Sequence, residues 1–151
     1  MYKRILVPYD GSAPSRAGLY QAIGLAADSG ATLVVLNVVS ELPLLMAPEA
    51  CVNYGQMSEI LMNAGRELVQ EAAGLADKDG VKCESQVVDG GASAVCDVIV
   101  DQITAQHCDL VVMGTHGRRG LKRLTLGSDA EMVVRGATVP VLLAKAAETV
   151  K

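Results

Sequence analysis

Short apolar segments alternate along this chain with segments of helical periodicity, and this alternation limits the fold more than any other feature. The segments Ile5–Val7, Thr32–Val39 and Asp109–Met113 are apolar at almost every position. Strands that are apolar on both faces are typical of parallel sheets covered on both sides. Two further strands are predicted at Val81–Val87, where apolar and polar residues alternate, and at Val139–Ala144.

Four helices are predicted between these strands. The first follows Ser12, which is placed to cap it, and ends at Gly30. The other three have apolar residues at three- and four-residue steps and cover Ser58–Lys78, Val95 to about Gln106, and Ser128–Arg135.

The segment Ser40–Gly55 contains Pro43 and Pro48 and has no regular period, so it is predicted to be a long loop. The length of 151 residues is about that of one domain. Five strands alternating with four helices predict one α/β domain over residues 1–151, an open parallel sheet with helices on both faces. The sheet is Rossmann-like in this respect.

Such sheets bind ligands beyond the carboxyl ends of their strands, where the strand order reverses. The turns after the first, second and fourth strands begin at Pro8, Val38 and Met113. The first of these turns contains Asp10, whose Asp-Gly-Ser context is also ordinary turn chemistry. We therefore expect any functional site at these three turns.

The turn after Met113 is rich in glycine and basic residues. Gly114 and Gly117 permit converging backbone N–H groups, and Gly127 and Ser128 stand where a helix begins, which favours an anion. The basic residues between them are Arg118, Arg119, Lys122 and Arg123. The following Ser128–Glu131 also matches a capping box, which stabilises a helix without any ligand. The residues alone leave an anion site and a structural turn as alternatives.

Composition excludes several classes of function. The formal net charge of -4 and the 3% share of aromatic residues disfavour nucleic-acid binding. The four cysteines form no C-x-x-C pair, so neither a zinc site nor a redox motif is expected. No segment has the length of a signal peptide or membrane span, which favours a cytoplasmic protein without membrane contact. Neither G-x-x-x-x-G-K-[ST] nor G-x-G-x-x-G occurs.

The glycine spacing resembles a family signature. Gly114, two residues, Gly117, nine residues, then Gly127-Ser128 is similar to the G-2x-G-9x-G-[ST] nucleotide signature of the universal stress protein family, in its ATP-binding branch. Three other segments resemble the family in the expected order: Ile5–Ser12 with its Asp10, Leu36–Val39 with asparagine where a histidine is frequent, and Pro140–Leu143. The similarity extends over essentially the whole chain.

The resemblance implies a sheet of order 3-2-1-4-5, a homodimer formed through the last strand, and bound ATP with Mg²⁺. By position, Pro8, Val38 and Met113 would contact adenine, Asp10 would lie by adenine and ribose, and Gly114 by ribose. The phosphates would meet His116, Gly117, Arg118, Gly127, Ser128 and the amides of Asp129 and Ala130. The family often has an apolar or hydroxyl residue at position 129. A carboxylate there repels a terminal phosphate, so ADP or AMP could bind as well as ATP.

Three functions follow as hypotheses. The first is a nucleotide-binding stress-response or signalling module. The second is a slow ATP hydrolase, for which Asp10, Asp129 and His116 are the only candidate groups and none is assigned a catalytic role. The third is a dimeric interaction module without nucleotide, in which the glycine loop is structural.

Overall fold

A computed structural model describes residues 1–41, 54–115 and 126–147. Nine regular elements follow one another in these ranges. They are β1 (Arg4–Pro8), α1 (Ala13–Ser29), β2 (Thr32–Ser40), α2 (Tyr54–Lys78), β3 (Cys83–Gly91), α3 (Val95–Ala105), β4 (Leu110–Gly114), α4 (Ser128–Gly136) and β5 (Val141–Ala144). The alternation of strands and helices expected from the sequence is confirmed.

The five strands form one parallel sheet of order β3-β2-β1-β4-β5. Strand β1 therefore lies in the middle, with Ile5 opposite Leu33 of β2 on one side and Leu110 of β4 on the other. Along the chain, β2 and β3 are added on one side of β1, and β4 and β5 are added on the other side. The strand order therefore reverses between β1 and β4. The predicted fold class and strand order are both correct.

Each face of the sheet is covered by two helices. Ile5 and Val7 of β1 pack into the core under α1 and α2, whereas Leu6 packs into the core under α3 and α4. All three side chains are fully buried. Burying one such aliphatic side chain stabilises the fold by about 1.5–3 kcal/mol, so both cores favour the three-layered arrangement of helices, sheet and helices.

The caps of α1 agree with the sequence. The Ser12 hydroxyl accepts a hydrogen bond from the Ser15 amide, and Gly30 ends the helix in the left-handed conformation with φ 72°. Glycine adopts this conformation without the steric cost that a Cβ imposes. Both predicted ends of the first helix are confirmed.

Helix α2 begins at Tyr54, four residues before the predicted start at Ser58. Its first turn is hydrogen-bonded to the end of β2, since Tyr54 and Ser58 both donate to the buried Glu41 carboxylate, Ser58 at 2.9 Å. The predicted loop is thus wrong at its two ends, where Ser40 is strand and residues 54–55 are helix. Residues 42–53 of that loop lie outside the described residues.

Strand β3 continues through Gly90 to Gly91, four residues beyond the predicted end at Val87. The neighbouring strand β2 is long enough to pair with this end of β3, and the register shifts between Val39 and Ser40 so that Ser40 pairs with Gly91. A Cβ on Gly90 would lie 3.2 Å from a methyl group of Val38. Gly90 therefore serves close packing at the strand end instead of ending the strand.

Candidate functional site

The reversal of strand order brings three strand ends to one edge of the sheet. Strands β1 and β4 end there at Pro8 and Gly114, and β2 passes the same edge at Val38. The chain leaving β1 enters α1 on one face, and α4 covers the other face. In open parallel sheets such a divergence of the connections forms the crevice in which ligands bind.

The turn after β1 is held by hydrogen bonds of its own residues. Asp10 Oδ1 accepts from the Ser12 amide at 2.9 Å, and the Asp10 amide donates to Ser15 Oγ at 3.4 Å. Gly11 has φ 78°, a conformation that favours glycine. One carboxylate oxygen of Asp10 therefore shapes the turn, as the ordinary turn chemistry of Asp-Gly-Ser predicts.

A hydrogen-bond network behind this turn was not predicted. The Asn37 side-chain amide donates to the Tyr9 carbonyl at 2.9 Å, and the Tyr9 hydroxyl donates to Glu71 Oε1 at 3.1 Å. Arg16 pairs with the same Glu71 oxygen at 2.9 Å and donates to the Gly11 carbonyl at 3.1 Å. Burial, followed by the hydrogen bond to Glu71, raises the pKa of Tyr9 to about 12. The network joins α2 to the turn that carries Asp10.

The only sequence signal for this network was the polar Asn37 within an apolar strand. Its burial, with 8% of the residue exposed, shows that the amide has an internal partner instead of facing solvent. The partner is 28 positions away in the chain, so the pattern of the sequence does not reveal it.

Gly114 has a packing role at the end of β4. A Cβ at this position would lie 2.5 Å from the carbonyl carbon and oxygen of Pro14, in the first turn of α1. On the facing side, a Cβ on Gly18 would lie 3.1 Å from the Gly114 amide nitrogen. The two glycines let α1 approach β4 closely, and this is a reason for Gly114 that does not involve a ligand.

The two ends of the glycine-rich loop meet at its base. The Gly127 amide donates to the Thr115 carbonyl at 2.8 Å, and the Thr115 amide donates to the Ala144 carbonyl of β5 at 3.0 Å. Three predicted phosphate contacts, His116, Gly117 and Arg118, lie outside the described residues. The bond between Gly127 and Thr115 nevertheless brings the start of α4 next to the end of β4.

The capping-box alternative for Ser128–Glu131 is wrong. The N-cap of α4 is Gly127, which has no side chain to cap the helix, and Ser128 is the first helical residue. Glu131 pairs instead with Arg135 at 2.8 Å. The first intrahelical bond is donated by the Glu131 amide to the Gly127 carbonyl at 2.9 Å. By helix geometry the amides of residues 128–130 precede that bond and have no intrahelical acceptor.

The electrostatic character of this helix start is mixed. The N–H groups without an acceptor inside the helix and the helix dipole favour an anion, while the exposed Asp129 carboxylate lies in the same turn. Within the described ranges, no group of three or more His, Cys, Asp or Glu side chains is arranged to hold a metal ion. The described part of the site therefore offers backbone donors to an anion and no protein-built metal centre.

The helices and the cysteines of the described ranges bear on membrane and thiol chemistry. None of the helices in the described ranges has both the length and the apolar character needed to cross a bilayer. Cys96 and Cys108 are buried free thiols, and burial raises the pKa of both, that of Cys108 to about 11. Cys83 is only half-buried, although burial raises its pKa too. A raised pKa keeps these thiols protonated and poorly nucleophilic.

Comparison with known proteins agrees with this geometry. Universal stress protein MJ0531 of Methanocaldococcus jannaschii is 34% identical over 145 residues, which span 96% of this chain and 83% of the relative. A Burkholderia pseudomallei protein of the universal stress protein family superimposes with a TM-score of 0.76 at 28% identity, over 94% of this chain and 95% of that one.

A third relative was solved with a ligand. A universal stress protein in complex with cAMP has a TM-score of 0.69 and 24% identity, covering 97% of this chain and 98% of its own. The sequence profile of the universal stress protein family matches residues 1–145 of the present chain. With a relative above 30% identity and the shared strand order, the chain belongs to the universal stress protein family.

Proposed function

We propose that this protein binds an adenine nucleotide at the sheet edge between β1 and β4 and acts as a nucleotide-dependent stress-response module. The observation that carries the proposal is the start of α4, where the N-cap is a glycine without a side chain and the amides of residues 128–130 have no acceptor within the helix. These amides lie beside the crevice at the reversal of strand order, the usual ligand position in such sheets. The cAMP complex of a relative supports an adenine nucleotide as the ligand.

The proposed ligand spans the crevice. Pro8, Val38 and the buried Met113 contact adenine at the strand ends, and Asp10 and Gly114 lie by the ribose. The amides of residues 128–130 hold the phosphates with His116, Gly117 and Arg118. Because the Gly127 amide is already bonded to Thr115, Gly127 contributes by leaving room for the phosphates.

The ligand preference depends on Asp129. Its carboxylate is exposed in the first turn of α4, where it repels a terminal phosphate. ATP with Mg²⁺ is the proposed ligand, because the cation offsets this repulsion, and ADP or AMP bind with similar affinity. Asp129→Asn is expected to raise the affinity for ATP more than that for AMP.

The first experiment identifies the nucleotide that the purified protein carries. Denaturation releases the ligand, and chromatography with mass spectrometry names it. One adenine nucleotide per chain is the expected result. A protein that carries none, and that also fails to bind added ATP with Mg²⁺ in calorimetry, would contradict the proposal.

Gly127→Val tests the location of the site. Gly127 has φ -60° and ψ 149°, which valine adopts without strain, so the fold is expected to persist. The added methyl groups crowd the phosphates, and ATP affinity should fall by at least tenfold. Thr138→Val, an exposed change beyond the other end of α4, is the control and should leave affinity unchanged. Equal affinity in the two variants would place the nucleotide elsewhere.

We also propose a cytoplasmic homodimer formed through β5. This strand lies at the edge of the sheet, paired only to β4 in the described part of the chain, and its residues Val141–Leu143 are partly exposed. An apolar edge strand favours pairing with a second copy. Sedimentation equilibrium should give twice the chain mass, and a monomer at micromolar concentration would contradict the dimer.

A further inference from the structure

One face of α2 contacts strand β2 and the turn that carries Asp10 at three successive places. Gly65 lies against Asn37, Leu68 lies against Gly11, and Glu71 bonds to the Tyr9 hydroxyl. Residues three apart on a helix share a face. The central part of α2 is therefore the surface on which the turn after β1 rests.

Asn37 is the buried link in this arrangement. Its Nδ2 donates to the Tyr9 carbonyl at 2.9 Å, one residue before Asp10. The Tyr9 amide donates to the Leu36 carbonyl at 2.8 Å, so the peptide group on each side of Tyr9 is held by β2. The direction in which the chain leaves β1, and hence the position of Asp10, is set by these two bonds.

Gly65 keeps Asn37 in place from the other side. A Cβ on Gly65 would lie 2.6 Å from Asn37 Oδ1 and 3.0 Å from a Val87 methyl group. Contacts below 3 Å are steric overlaps, so any side chain at position 65 displaces Asn37 or moves α2. The absence of a side chain at Gly65 lets the amide reach the Tyr9 carbonyl.

We propose that Asn37 is a positioning residue of the nucleotide site, which orients Asp10 through the Tyr9 carbonyl, and that Gly65 is the contact on α2 that keeps it oriented. The inference rests on the proposed nucleotide function. Asn37 itself does not touch the ligand, since its amide is turned toward the backbone of the β1–α1 turn. Nucleotide affinity thereby becomes dependent on where α2 lies against the sheet.

Asn37→Asp removes the donor with little change in shape and sets a carboxylate against the Tyr9 carbonyl. The Kd for ATP with Mg²⁺, measured by calorimetry, is expected to rise by about tenfold, the effect of losing one well-placed hydrogen bond. Asn63→Asp makes the same chemical change on an exposed part of α2, where Asn63 Oδ1 accepts from Arg66. This control is expected to bind like the wild type.

Gly65→Ala tests the same contact between α2 and Asn37 without changing the charge. It replaces Asn37→Asp as the test if that variant fails to fold. The new methyl group displaces Asn37, and ATP binding should weaken by a similar factor. Gly74→Ala is the matched control on the same helix, because a Cβ there meets no heavy atom of the described chain within 4 Å. Wild-type affinity in Gly65→Ala would overturn the proposal.

A double-mutant cycle with Asp10→Asn separates positioning from general destabilisation. Asparagine at position 10 can still accept the Ser12 amide, so the turn is retained while the charge is lost. If Asn37 acts through Asp10, the double variant has the same affinity for ATP as whichever single variant, Asn37→Asp or Asp10→Asn, has the lower affinity. Fully additive losses would overturn the positioning role and leave nucleotide binding intact. A wild-type protein that binds no nucleotide would overturn the proposed function as well.

Discussion

Gly114 at the end of β4 touches the backbone of Pro14 in α1, at the edge of the sheet where the strand order reverses. A Cβ on Gly114 would lie 2.5 Å from both the carbonyl carbon and the carbonyl oxygen of Pro14. Backbone atoms cannot rotate away as a side chain can. The first glycine of the nucleotide signature is thus demanded by helix–strand packing, whatever ligand the site binds.

Gly114→Ala is expected to lower the free energy of unfolding by about 3 kcal/mol, because overpacking of a rigid contact forces backbone shifts. Urea denaturation monitored by circular dichroism measures this change. Gly24→Ala is the control, since a Cβ at Gly24 in α1 meets nothing within 4 Å in the described structure. That variant should be slightly more stable, by up to ~1 kcal/mol. Equal stability of the two variants would contradict the packing role.

Ser12→Ala should destabilise the protein by about 1 kcal/mol, because the Ser12 hydroxyl caps α1 by accepting from the Ser15 amide at 3.3 Å. The measurement is the urea midpoint of the variant against that of the wild type. Ser12→Asp retains an accepting oxygen at the N-cap and should recover most of the loss. A variant Ser12→Asp as unstable as Ser12→Ala would show that the cap contributes nothing.

The stability contributed by Glu84 is expected to depend on pH. Arg4 donates two hydrogen bonds to the Glu84 carboxylate, at 3.1 and 2.8 Å, and these bonds hold the pKa of Glu84 below its ordinary value of 4.5. A carboxylate whose pKa is lower in the folded protein than in the unfolded chain stabilises the fold at pH values above the unfolded pKa. This stabilisation is lost as the pH falls. The stability difference between wild type and Glu84→Gln should be constant near neutrality.

That difference should shrink as pH falls below about 4.5 and through the lower pKa of folded Glu84. Urea unfolding at a series of pH values gives both curves. The pair is partly exposed, so high salt should also reduce the difference. A difference that grows on acidification would rule out the assigned role of the Arg4–Glu84 pair.

Cys108 should resist alkylation in the folded protein. Burial raises its pKa to about 11, and only 6% of the residue is exposed. At pH 8 the thiolate fraction is then about one in a thousand, and the thiolate is the reactive form. Peptide mapping after brief iodoacetamide treatment should find Cys108 unmodified in buffer and fully modified in denaturant. Rapid native labelling of Cys108 would show that it is accessible.

The local elements could be predicted because they depend on neighbouring residues. The apolar run Thr32–Val39 and the three- and four-residue steps after Ser58 reflect the geometry of strands and helices themselves. Their ends were less predictable. Tyr54 extends α2 because its hydroxyl reaches Glu41, and Gly91 remains in β3 because β2 lies alongside. Neither contact is encoded in a local pattern.

The glycine signature identified the family and the position of the candidate site, but it could not assign a task to each glycine. Only the packed structure shows that Gly114 is required by Pro14, and that Gly127, with its extended backbone, is the N-cap of α4. The sequence also suggested that Glu131 completes a capping box, whereas Arg135 binds its carboxylate in the folded chain.

By itself, the sequence determined the order and type of the elements, the parallel sheet and the edge at which a ligand is expected, since hydrophobic periodicity and glycine spacing are properties of adjacent residues. The tertiary structure alone decided that Asn37 holds the Tyr9 carbonyl and that Gly65 of α2 presses on Asn37. These contacts join residues about 28 positions apart in the chain, and their geometry exists only after α2 has packed against the sheet.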